Sequence, residues 1–440
     1  MPTSLPSPEK LLGEMLRYRP YTREGQWLCA RRIEELVRDC GLGLAATIPY
    51  HETKELTARR EGDDFPLVKI TSEFGPQNGH SREMMTWLGH LDTVDPQPDE
   101  RDGDAFVIEE ITNQHNPETA HLVGKQIGRR RGTDDMWAGN LALLYGLESL
   151  RKSGRSNVVV QTILSSREEL GSEVLHQAIE DGTVERAKVG ATTEILVGDD
   201  GKPSPLYRGR TGRIGVDIVT NGEAPHAGAI DRYPEAMRRI ADRHFGRLLD
   251  EILDDERGFF IPNQYPNDTQ GILRTTSRLI PGMGEFSIRG LSPPDQVSKH
   301  FDIFHSDPNL DVARVQSSIR RFLQERFQNI IDEIGYNPYE VTQENRRGVP
   351  FTDPWITPED HTLVEVASKA ANEIRNENVP IVGASGVAED GMLFHRLGTK
   401  MIGWAPDGKG AHWKEWVVLE SIMERAHWLK NLAQFDGKWE

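Results

Sequence analysis

Short apolar runs alternate with helical stripes through the first half of the chain. Ser7 before Pro8 reads as an N-cap followed by proline at the first helical position, which predicts a helix toward Tyr18. A second helix is predicted to run to about Cys40, with Gly41 as its C′ residue. Met84-Met85-Thr86-Trp87-Leu88 is a predicted strand with His90 just past its end, and Val158 to Leu164 is another, followed by Glu168 and Glu169. Between them, Leu141, Leu144, Leu147 and Leu150 recur at helical spacing up to Gly154. Glu194-Ile195-Leu196-Val197 reads as a further strand, delivering Asp199. Alternating strands and helices predict a mostly parallel sheet covered on both faces.

The pattern changes after Asp199. Gly201-Lys202-Pro203-Ser204-Pro205 is turn-rich, and Ile214 to Val219 then alternates with period two, as in a sheet with one wet face. A long helical stretch follows from Pro234 toward Asp254. Leu279-Ile280-Pro281 and Phe286-Ser287-Ile288-Arg289 add strand material. Arg346-Arg347-Gly348-Val349-Pro350 reads as a return linker, and Met401 to Trp404 as a closing strand before His412. The expected fold is α/β: a catalytic domain in two segments, residues 1–205 and 347–440, interrupted by an α+β insert at 206–346. Two domains also suit a chain of 440 residues, since a single core stops growing at roughly 250–300.

Charge and composition narrow the function classes. A net charge of −17 opposes nucleic-acid binding, which needs basic surface, and makes Arg129-Arg130-Arg131 an expected solvated loop beside an acidic site. No apolar run approaches the roughly 18 residues of a membrane span. The first residues show neither a basic n-region nor an apolar h-region, so a cytoplasmic location is expected. Cys29 and Cys40 share an apolar stripe with Ile33, Leu36 and Val37 and are expected to be buried thiols.

The residues that follow the predicted strands carry the chemistry: His90 and Asp92, Asp134 and Asp135, Glu168 and Glu169, Asp199, and His412 with Glu415. Strand ends converge on one edge of an open α/β sheet, and two imidazoles among several carboxylates suit a pair of divalent cations. His90 would bind metal through one ring nitrogen while Asp92, two residues along, accepts a hydrogen bond from the other. Asp135 is the candidate for a carboxylate shared by both ions. Of the adjacent Glu168 and Glu169, one would bind metal and the other take a proton from water. Asp199 and His412 would complete the coordination. His80, His115, His121, His244, His361 and His395 lack matching partners and are expected to be structural.

These motifs resemble those of the M20 metallopeptidases and their amidohydrolase relatives, which include carboxypeptidase G2-like enzymes, succinyl-diaminopimelate desuccinylases, aminoacylases and peptidase T-like enzymes. Gly89-His90-Leu91-Asp92-Thr93-Val94 is similar to G-H-x-D-x-V, Asp135-Met136-Trp137-Ala138-Gly139 to D-M-K-x-G, and Glu168-Glu169-Leu170-Gly171 to E-E-x-G. Val197-Gly198-Asp199 resembles V-G-E/D, and His412 with Glu415 resembles H-x-x-E. The resemblance implies His90 and Asp199 on one metal, Glu169 and His412 on the other, Asp135 between them, and Glu168 as general base with Asp92 orienting His90. Asp134 takes the bridging place if the loop carries an extra residue. A cis peptide after the bridging aspartate is implied as well. The metals would be zinc, with cobalt or manganese as alternatives.

By the same resemblance the insert is a lid and dimerisation domain, so a homodimer is implied. Ala224-Pro225-His226-Ala227-Gly228 is similar to A-x-H-A/S, whose histidine stabilises the oxyanion from the partner subunit. Ser287-Ile288-Arg289 resembles D-x-R, whose arginine binds a substrate carboxylate. The chain departs from the family at Trp137 (commonly lysine), Asp95 (proline) and Arg278 (asparagine). Arg278 beside Arg289 implies a substrate with two anionic groups. The implied activity is hydrolysis of an amide bond in a small molecule, an N-acyl amino acid or short peptide. The alternatives are a catalytically silent binding or regulatory protein on the same fold and a two-metal phosphohydrolase on another.

Overall fold

The computed structural model describes residues 3–51, 64–75, 82–96, 105–112, 122–170, 172–194, 203–221, 279–281, 285–286, 296–305, 312–335, 337, 339–343, 351–382, 390–409 and 415–440. In chain order these form α1 (Pro8–Arg17), α2 (Arg23–Cys40), β1 (Leu44–His51), β2 (Asp64–Ser72), β3 (Met84–His90), β4 (Val107–Glu110) and β5 (Gln126–Arg129). Next come α3 (Ala138–Ser153), β6 (Val159–Ser165), α4 (Glu173–Glu180), β7 (Val189–Thr192), β8 (Leu206–Tyr207) and β9 (Gly209–Arg210). The insert supplies β10 (Gly212–Asn221), β11 (Leu279–Pro281), β12 (Glu285–Phe286), β13 (Gln296–His305), α5 (Val312–Ile334), β14 (Tyr339–Gln343) and β15 (Phe351–Thr352). The chain ends with β16 (Trp355–Ile356), α6 (Thr362–Arg375), β17 (Ile381–Val382), α7 (Gly391–Arg396), β18 (Lys400–Gly403), β19 (Gly408–Lys409), β20 (Trp416–Val418) and α8 (Leu419–Ala433).

Two compact units divide the chain: Met1–Arg210 with Trp355–Glu440, and Thr211–Pro354. The first is α/β. Its eight-stranded sheet runs β1-β2-β6-β3-β7-β18-β8-β17, parallel through β6, β3, β7 and β18, with β1 and β2 antiparallel at one edge. The expected helices form where the caps predict. Thr22 accepts the Gly25 N–H at the start of α2, and Gly41 closes that helix at φ 62°. Leu141, Leu143, Leu144, Leu147 and Leu150 of α3 are fully buried, and α3 packs along α8. Each such leucine is worth about 1.5–3 kcal/mol of burial. Cys29 and Cys40 are buried free thiols in this core, and burial pushes the Cys29 thiol up.

A second sheet in this unit, β19-β20-β5-β4, is antiparallel throughout. It joins two distant parts of the sequence, because Trp416 of β20 lies opposite Arg129 of β5. The other unit is built on an antiparallel sheet with β10 and β13 at its centre. Ile214, Val216 and Ile218 of β10 are buried at the period-two spacing read from the sequence. Val315, Ile319 and Leu323 of α5 are buried at helical spacing. The helix expected at Pro234–Asp254 lies outside the described residues. Among the described residues no helix is long and apolar enough to cross a membrane.

The strand expected at Glu194–Val197 runs into residues 195–200, which lie outside the described residues; β7, Val189–Thr192, lies just before it and was not expected from the sequence.

Candidate active site

The site grows from the C-terminal end of β3. That strand is buried along nearly its whole length, pairing in parallel with β6 and β7, and His90 falls opposite Ser165. The His90 ring is buried and held on several sides. The His90 backbone N–H donates to Met136 Sδ at 3.3 Å, and Asn140 Nδ2 donates to the His90 backbone carbonyl at 2.6 Å. Nδ1 lies 2.8 Å from the Asp92 carbonyl oxygen. A carbonyl only accepts, so Nδ1 carries the proton and Nε2 of the neutral ring presents its lone pair. Nε2 then faces Asp135 Oδ1 at 3.1 Å.

Two acceptors do not face each other at that distance without something positive between them. Burial alone would push the His90 pKa down. The hydrogen bond to Asp135 and the charges of Glu168, Asp135 and Asp92 outweigh it and raise the value well above the ordinary one. An imidazole nitrogen among carboxylate oxygens is a donor set for zinc, cobalt or manganese. Among the described residues no group of three or more His, Cys, Asp or Glu side chains forms a metal cluster. Asp199 and His412, two of the five expected ligands, lie outside them, as do His226, Arg278 and Arg289.

Asp92 has a different contact from the one expected. Its carboxylate stands 3.7 Å from His90 Nδ1, while its Oδ1 accepts the Glu168 N–H at 3.2 Å and its Oδ2 the Glu169 N–H at 3.3 Å. Period-two spacing holds only within a strand. β3 ends at His90, so Asp92 turns toward the neighbouring loop and its backbone carbonyl takes the ring proton instead. Burial, partly offset by His90, raises the Asp92 carboxyl to about 6.

The loop that Asp92 holds follows β6. Arg167 adopts φ 65°, its guanidinium lying 4.8 Å from the Phe65 ring centre, and Glu168–Leu170 form one tight helical turn before Ser172 at φ 59°. These left-handed residues turn the chain sharply on either side of the two acids. Glu168 is half-buried, and burial raises its carboxyl well above the usual range. His90 opposes that rise, and the charges of Glu169, Asp390 and Asp135 add to it.

The second acid pair precedes α3. Gly132, at φ 81°, lies so close to Thr93 that a side chain there would collide with it. The Asp135–Met136 peptide bond is cis, as the resemblance implies. Glu415 Oε2 accepts the backbone N–H groups of Asp134 at 3.2 Å and Asp135 at 3.3 Å, and Glu415 Oε1 lies 3.5 Å from Arg131 Nη1. Arg131 is therefore buried and paired, not part of a solvated loop. Arg129 does pair at the surface, with Glu109 at 2.8 Å. Asp134 points its carboxylate at the Gly408 backbone, while Asp135 faces His90. The Trp137 side chain, where the family commonly has lysine, is fully buried in the core.

Three acids gain a place that the sequence reading did not give them. Glu415, noted only as part of a motif, binds the Asp134–Asp135 backbone. Asp390, at the start of α7, is buried and accepts a hydrogen bond from Ser165 Oγ on the strand beside His90. Glu194 follows β7 by two residues. Its carboxylate lies 3.8 Å from Nη2 of the buried Arg210. Its signal was a carboxylate after a strand of small residues. His361, expected to be structural, caps α6 by accepting the Leu363 N–H at 3.1 Å.

Residues 87–434 match the profile of peptidase family M20/M25/M40. The chain belongs to this family. It is thus a hydrolase, from a group of enzymes with metal-dependent amide hydrolysis as their general activity. This M20 chain is similar over 98% of its length to 99% of an M20 family metallo-carboxypeptidase from Sulfolobus solfataricus, at 15% identity and a TM-score of 0.64. It is similar over 97% to 98% of aminopeptidase PepT from Bacillus cereus, at 15% identity and 0.63. It also matches over 97% to 96% of the di-peptidase Dug1p from Saccharomyces cerevisiae, at 16% identity and 0.64. At such identities the likeness is one of fold. No curated protein matches the chain.

Proposed function

We propose that this M20 chain hydrolyses an amide bond in a small molecule, an N-acyl amino acid or a short peptide, with Glu168 as general base. The observation that carries the reading is the pairing of His90 Nε2 with Asp135 Oδ1 at 3.1 Å, beside a glutamate turn held in place by Asp92. The proposed ligands are His90 and Asp199 for one ion, Glu169 and His412 for the other, and Asp135 between them. Its contact with His90 favours Asp135 over Asp134 as the shared carboxylate. When bound, two divalent ions, zinc by preference, would supply Lewis acidity and a readily deprotonated water.

The chain's own part is proton handling and positioning. Glu168 takes the proton of the attacking water as its oxygen bonds to the amide carbon. It returns that proton to the nitrogen as the C–N bond breaks, leaving a carboxylic acid and an amine, and the acid's remaining proton then passes to the amine or to solvent. A carboxyl raised toward neutrality suits both transfers. Asp92 fixes the turn on which Glu168 sits. His226 is proposed to stabilise the oxyanion, and Arg289 to bind a substrate carboxylate. The insert is proposed to be a lid and the contact of a homodimer, with residues 1–205 and 347–440 as the catalytic domain around 206–346. Arg278 is proposed to favour a second anionic group; an Arg278→Asn variant with an unchanged preference between mono- and dianionic substrates would sink that idea.

The test is amine release from a panel of N-acyl amino acids and dipeptides by zinc-, cobalt- or manganese-reconstituted protein, with a Glu168→Ala variant alongside. The expected result is turnover by the wild type that disappears in the variant. Phosphatase activity without amidase activity, or metal binding without any turnover, would overturn the reading.

A further inference from the structure

Glu415 lies 280 residues from Asp135 in sequence, and the second sheet brings them together. β20 begins one residue after Glu415 and pairs with β5, whose chain continues through Arg130 and Arg131 into the Asp134–Asp135 turn. The register opposite Arg129 delivers the Glu415 side chain beneath that turn, where it is almost wholly buried. One carboxylate oxygen, Oε2, accepts both backbone N–H groups, while the other faces the equally buried Arg131.

A neutral acceptor would satisfy two amide groups as well. Arg131 is buried beside Glu415 as a positive partner, which a neutral acceptor would not need. With one oxygen on the two amides, at 3.2 and 3.3 Å, and the other 3.5 Å from Arg131, the buried Glu415 side chain ties the turn to both β5 and β20. The residue fixed is the one whose side chain meets His90.

We propose that Glu415, backed by Arg131, is a positioning residue: it holds the backbone of Asp134 and Asp135 so that the Asp135 carboxylate stands ready between two cations. This rests on the dinuclear reading above, and it predicts effects that can be read with or without metal.

The experiment uses full-length Glu415→Ala protein, freed of metal and then titrated with Co2+ by calorimetry and visible absorption. Hydrogen exchange of the segment around residues 130–137 is followed by mass spectrometry on the metal-free form. The expected result is Co2+ affinity about 10- to 100-fold weaker, with an altered cobalt spectrum and faster exchange at 134 and 135. Wild-type affinity, spectrum and exchange in folded Glu415→Ala protein would overturn the proposal. Should the alanine variant not fold, Glu415→Gln decides. Its amide oxygen still accepts both N–H groups while its NH2 opposes Arg131, so an intermediate loss that Arg131→Gln relieves is expected, and no loss refutes the role. If wild-type protein takes up no Co2+, the dinuclear reading fails, and unchanged exchange in the variant would still count separately against Glu415.

Discussion

The Glu168–Glu169 turn and the Asp134–Asp135 turn each bring an acid, Glu168 and Asp135, to act on His90, and each has two consecutive amide N–H groups bound by a carboxylate from elsewhere in the chain. Their anchors differ. Asp92 comes from the loop after β3, spreads its two oxygens over the two amides, and has His90 nearby as its positive neighbour. Glu415 comes from the far end of the sequence, gives one oxygen to both amides and keeps the other for Arg131. The acids they hold differ too: Glu168 is half-buried and Asp135 is buried. A base has to meet water and substrate, whereas a shared ligand only has to stay in place. The more enclosed turn therefore has the more completely buried anchor.

The comparison breaks first at Glu168. If this turn carries the base and the other only ligands, Glu168→Gln should lower kcat by about 10²–10⁴-fold while metal content stays at the wild-type level. Steady-state kinetics with metal analysis checks this, and a variant that loses metal along with activity would make Glu168 a ligand.

Next comes the Asp92 anchor. Asp92→Asn offers only one acceptor to two amides and sets an NH2 against the other. Metal affinity or kcat should fall by about 10- to 100-fold. The same change with wild-type kinetics and affinity would show that the turn holds itself.

The two anchors also differ in how they respond to pH. In metal-free protein Asp92 sits at about 6 against an ordinary 3.8, and Glu415, raised by burial, at about 8 against 4.5. Both bind more protons folded than unfolded over that range, so stability falls as pH rises from about 4 to about 8. His90, raised above its ordinary value, acts in the same direction: its contribution is full below about 6.5 and is lost as pH rises through its folded value. Melting temperatures of chelator-treated protein should show this decline, and added zinc should flatten it. A melting temperature that rises through the same window would contradict the assigned shifts. The smallest effect belongs to a control remote from both turns: Thr22→Ala removes the α2 cap, at a cost of about 1 kcal/mol in stability by denaturant unfolding, with no change in metal affinity.

Much of this was legible in the sequence because local signals agreed with the fold. The start of α1 at Pro8, the glycine ends of α2 and α3, the apolar strands before His90 and Glu168, and the alternation of β10 all formed as their patterns predict, although Ser7 makes no side-chain capping bond. β7 was not legible for a physical reason. It lies between β3 and β18, where a side chain at Gly190 would strike the Met401 sulfur, so the strand is built from small residues with little strand signal. The apolar run just after it carries the stronger strand signal. The anchors were hidden for another reason. Arg131 and Glu415 are 284 residues apart, and Ser165 and Asp390 are 225 apart, so only the folded sheets bring them together. The role of Asp92 was obscured by assuming that β3 continues past His90.

The most direct measurement is the metal stoichiometry of purified, chelator-stripped and zinc-reconstituted protein, taken with amine release from its best substrate. The account predicts two zinc ions per chain and activity that rises with the metal bound. Activity undiminished in fully stripped protein, or a folded chain that retains no zinc, would contradict it.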